Sequence, residues 1–149
     1  MVNELTQIYG YLFVHNKQVI QQWFPYIRTE WNVLQIHKDW HFAISELLKD
    51  NKQIDIITVV DCLRDNNRLS KETVYQTSIA TNDVPYIRIE SLFSKVNMDW
   101  TLNEINRFVR DFQHKITDPN FAPDDLIQLC DNTKKLLLET NIDNLESND

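Results

Sequence analysis

The residue pair best spaced for chemistry is His37 and His41. Histidines four apart share one face of a helix, which is the spacing of two zinc ligands in a metalloprotease. Such an enzyme also needs a glutamate directly after the first histidine as its general base. Lys38 holds that position and cannot do that work. No nearby pattern of Cys, His or carboxylates offers the third ligand that a zinc site requires. The pair therefore reads as two partly buried histidines beside Trp40. His15 and His114 stand alone, and no Gly-x-Ser-x-Gly elbow gathers serine, histidine and aspartate into a nucleophilic site. The carboxylate pairs Asp124–Asp125 and Glu46–Asp50 suit helix ends and solvated faces. We assign no catalytic residue, no metal and no cofactor.

Gly10 is the sole glycine, and this removes further classes of function. A Walker A loop needs two glycines and a dinucleotide fingerprint three, because only glycine lets the backbone close on phosphate oxygens. This chain by itself is expected to be neither a P-loop ATPase nor an enzyme. With 15 Lys and Arg against 22 Asp and Glu, the formal charge is −7. Unaided tracking of nucleic acid needs clustered positive charge, so little or no direct nucleic-acid binding is expected and the partners should be proteins. The two cysteines, Cys62 and Cys130, each lie among apolar helical positions and read as small buried core residues in a reducing compartment. No signal peptide opens the chain and no run approaches a membrane span, so a soluble, cytoplasmic protein without membrane contact is expected.

The elements that would carry these residues are helical. Leu5, Ile8, Tyr9, Leu12 and Phe13 recur at helix spacing, with Gly10 inside the helix, where it costs roughly 1 kcal/mol relative to Ala. A close approach of another helix is a reason to keep it. Asn16 can cap the next helix, with stripe Val19, Ile20, Trp23 and Phe24 and Pro25 at its end. Residues 31–36 form an irregular connection. His37 to Lys49 is a helix facing the core through Trp40, Ile44, Leu47 and Leu48, and residues 50–53 break it. Thr58 reads as the N-cap of the next helix, which packs Val59, Val60 and Leu63. Ser70 caps a helix bearing Val74, Thr77 and Ser78, Asn82 to Pro85 is a turn, and Tyr86 to Val96 is helical.

In the last third, Thr101 and Glu104 have capping-box spacing. They are expected to open a helix with Leu102, Ile105, Phe108, Val109, Phe112 and Ile116 on its apolar side. After a polar turn over residues 117–122, Pro123 suits a first helical position. Leu126, Leu129, Cys130, Leu136 and Leu137 form the return stripe. The expected fold is all-α: a helical head over 1–98, an αα-hairpin over 99–140 and an acidic tail over 141–149. The hairpin has apolar residues on more than one face, so it should pack on a second subunit. Most of the four tryptophans read as core residues, and Trp100, just before the hairpin, is the best candidate for a binding hot spot.

One resemblance gives these elements a role. Residues 4–16, ELTQIYGYLFVHN, resemble the opening helix of the N-terminal domain of DnaB-type replicative DNA helicases, with Gly10 and Asn16 in register. That family continues with a histidine, an apolar helix and a Pro-Ile-Asp-apolar-apolar-Thr hinge. Here His37, Ile54, Asp55 and Thr58 match that order, and Leu63 and Leu69 continue it. The likeness is firmest over residues 4–69. The chain departs from the family in Asn51 for a common glycine, in Gln53 for the common proline, and in lacking the usual Pro-His-Asn start. The resemblance implies a non-catalytic collar domain for replication. Such domains assemble into dimers or a hexameric ring, pair their hairpins between subunits, and dock primase or a helicase loader in the primosome. The ATP-dependent helicase motor would be a separate domain. An alternative is a freestanding phage or plasmid adaptor that mimics the collar to load or inhibit a helicase.

Overall fold

A chain with a single glycine must end its helices by other means, and asparagine supplies them. The computed structural model describes residues 1–82 and 88–138. Among these, the chain is all-α, with no strand. The helices are α1 (Val2–Phe13), α2 (Lys17–Trp23), α3 (Gln35–Lys49), α4 (Ile56–Asp65), α5 (Lys71–Asn82), α6 (Ile89–Ile116) and α7 (Pro123–Leu138). Two single 3₁₀ turns, Phe24–Tyr26 and Thr29–Trp31, lie between α2 and α3. After α3, Asn51 takes a left-handed φ of 55°, and after α4, Asn67 takes one of 58°. Each turns the chain so that the next amide bonds back into the last helical turn: Lys52 N–H to the Leu47 carbonyl (2.9 Å) and Arg68 N–H to that of Leu63 (2.8 Å). These are Schellman closures, in which asparagine is the usual substitute for glycine.

Side chains cap the starts of α2, α4 and α5. Asn16 Oδ1 accepts from Val19 N–H (3.0 Å) and Ser70 Oγ from Thr73 N–H (3.1 Å), at the two positions expected. The start of α4 differs from the expectation. Its N-cap is Asp55, not Thr58, and the two close a reciprocal box. Thr58 N–H donates to Asp55 Oδ1 and Asp55 N–H to Thr58 Oγ1, both at 2.9 Å. The aspartate is extended and its carboxylate reaches the third helical amide, while Thr58 has already entered the helix.

The described residues belong to two units, Met1–Val96 and Asn97–Asp149. In the first, α3 packs on α4, α1 on α5 and α3, and α4 on α5. Leu5, Ile8, Leu12, Ile44, Val59, Leu63, Phe93 and Val96 are buried in its core. Gly10 explains the α1–α5 approach. A Cβ there would stand 3.0 Å from the Ala80 carbonyl carbon and closer still to its oxygen. The packing face of α5 is accordingly small and partly polar, built from Thr73, Thr77 and Ala80. The expected Val74 is 42% exposed and points away.

In the second unit, the Thr101–Glu104 pattern does not open a helix; it lies inside α6, which continues through it. Neither glycine nor proline interrupts residues 89–116, so nothing in the backbone stops the helix there. Between α6 and α7, Pro119 sits in a turn closed by Phe121 N–H on the Asp118 carbonyl (3.0 Å). Pro123 is the first residue of α7. The cysteine expectation is corrected too. Cys62 is half-buried and Cys130 is exposed, since no residue of α7 is fully buried. The expected turn over 82–85, the helix start at Tyr86, the end of the hairpin region at 139–140 and the acidic tail fall wholly or partly outside the described residues.

Candidate functional site

The two histidines first in line for chemistry both pack against aromatic rings. His37 is buried, stacks on Tyr9 with ring centroids 5.7 Å apart, and its Nε2 lies 2.7 Å from Thr6 Oγ1. Removal from water holds its pKa down at about 4, against an ordinary 6.5, so the ring is neutral at pH 7. His41 lies beside Phe24 at 4.7 Å, and burial lowers its pKa as well. Tyr9, Phe13, His37 and Trp40 form one aromatic cluster at the meeting of α1 and α3. Trp40 Nε1 donates to Thr77 Oγ1 (2.9 Å), which donates in turn to the Thr73 carbonyl (2.6 Å), fastening α5 to that cluster. Among the described residues no group of three or more His, Cys, Asp or Glu could hold a metal ion. No helix among them is long and apolar enough to cross a membrane.

Gly10, Asn16, His37, Ile54, Asp55 and Thr58 lie at the joints of the first unit. Gly10 sets the α1–α5 approach, Asn16 caps α2, and His37 lies in the aromatic cluster. Asp55 and Thr58 cap α4, and Ile54 just before them is buried. Near them, Asp39 is buried and holds Arg68 Nη1 at 3.2 Å, while the Arg68 guanidinium lies 4.0 Å over the Phe42 ring. Each of these groups helps to hold helices together through the contacts just named.

Exposed apolar surface lies instead on α6. Met98, Leu102, Ile105, Val109, Phe112 and Ile116 follow at spacings of four and three, the heptad pattern of a helix that pairs with another helix. Five of the six are exposed: Met98 63%, Leu102 52%, Ile105 40%, Val109 43% and Ile116 48%. Phe112 is half-buried, with Phe108 at 6.2 Å. Positions flanking this seam are Asp99, Asn106 and Gln113 on one side and Thr101, Phe108 and Lys115 on the other. Charge thus stands only near the two ends, and a partner helix would meet no row of like charges. Burying an apolar side chain fully is worth roughly 1.5–3 kcal/mol, so a half-exposed seam residue retains about 1 kcal/mol for a partner.

Trp100 does not belong to this surface. It is 4% exposed and lies on the side of α6 away from the seam. Glu104 follows on that side, buried, with Arg107 Nη1 at 3.4 Å. Met98 is the seam residue that sequence reasoning missed; stepping the heptad back by four from Leu102 finds it. On α7, Leu126, Leu129, Leu136 and Leu137 are half-buried, Ile127 and Leu138 are exposed, and none is a core residue. Comparison with protein-family models, curated proteins and solved structures gives no match.

Proposed function

We propose that this chain is a non-catalytic assembly and docking domain of the collar type that precedes the motor in DnaB-type replicative helicases. Its first unit is the head, and the part of α6 beyond Val96 together with α7 forms the helical hairpin through which copies associate and a primase or helicase loader is engaged. The observation that carries this reading is the α6 seam, six apolar residues at heptad spacing of which five are exposed. Leu102, Ile105, Phe108, Val109 and Phe112 on α6, with Leu126, Leu129, Leu136 and Leu137 on α7, form the interface. Supporting it, Gly10, Asn16, His37, Ile54, Asp55 and Thr58 each have a definite job in the head fold, as residues that define a family's scaffold should.

The test is the mass in solution, by light scattering on a sizing column across a wide range of concentration. The expected result is a dimer or larger ring that Val109→Asp dissociates, whereas Ile57→Asp on the exposed start of α4 does not. A monomer at every concentration, unaltered by Val109→Asp, would overturn self-association through α6. Binding of a purified replicative primase, measured on the same proteins, tests the docking half separately.

A further inference from the structure

We draw no further inference here: the strongest candidate beyond the α6 seam, the groove of about 510 Å³ at the end of α3 and along α4 in which Glu46, Asp50, Asp61 and Asp65 stand around the half-buried Cys62, rests on an acidic cluster and a lone cysteine, with no second feature that points to a ligand.

Discussion

Gly10 of α1 lies directly against the backbone carbonyl of Ala80 in α5, so near that a methyl group on Gly10 would overlap it. A backbone carbonyl cannot rotate aside as a side chain can. Gly10→Ala therefore sets a helix-propensity gain of about 1 kcal/mol against an overpacking cost of about 1–3 kcal/mol or more. The expected net effect is a lower urea midpoint, and Gly10→Val should lower it further. A Gly10→Ala protein more stable than the parent would show that α1 and α5 do not approach this closely.

At the start of α4, Asp55→Ala and Thr58→Ala should each cost about 1 kcal/mol in urea unfolding. The two side chains satisfy each other's backbone amides, so the double variant should cost clearly less than the sum of the singles. Strict additivity would mean that the reciprocal box contributes nothing as a unit.

The left-handed asparagines make a prediction of opposite sign for two substitutions. At Asn67, φ is 58°, where a Cβ is strained and glycine is not. Asn67→Ala should destabilise by about 1 kcal/mol, while Asn67→Gly should be neutral or stabilising. Asn51 should behave alike. Equal effects of alanine and glycine, read from thermal melts, would exclude the closure described.

Acid should weaken the fold through His37. Its pKa falls from 6.5 unfolded to about 4 folded because the buried ring resists protonation. The unfolded chain then binds the proton more readily. Stability from the neutral ring is complete above about pH 6.5 and is lost as pH falls toward 4, on the order of 3 kcal/mol in all. His41 shifts the same way. Unfolding free energies of the parent and His37→Gln at neutral and acidic pH isolate the term, since carboxylate effects are common to both. The variant should lose less on acidification; an identical loss would remove His37 from the account.

Two positions on α6 separate seam from core. Phe93 is fully buried, and Phe93→Ala should cost about 3–5 kcal/mol. Leu102 is 52% exposed, and Leu102→Gln should change stability by less than about 0.5 kcal/mol at dilutions where the chain is monomeric. If Leu102→Gln unfolds the monomer, the side chain is core and not a free surface.

Sequence by itself determined the helical class, the caps at Asn16 and Ser70, the proline start of α7 and the apolar stripe from Leu102 to Ile116. All of these rest on interactions within a few residues, where spacing and side-chain chemistry suffice. It also held a sound reason for Gly10, although naming Ala80 required knowing which helix crosses α1. Tertiary structure alone decided the rest. Thr101 and Glu104 have the spacing of a helix start, yet a local pattern cannot reveal that the preceding helix runs on into it. Thr58 has the side chain of a cap, yet the extended backbone at Asp55 makes Asp55 the N-cap of α4. Trp100 and Leu102 lie two residues apart and are both strongly apolar; their burial differs because they point to opposite sides of α6. Periodicity identifies an apolar face, but only the packed chain determines whether that face is already covered.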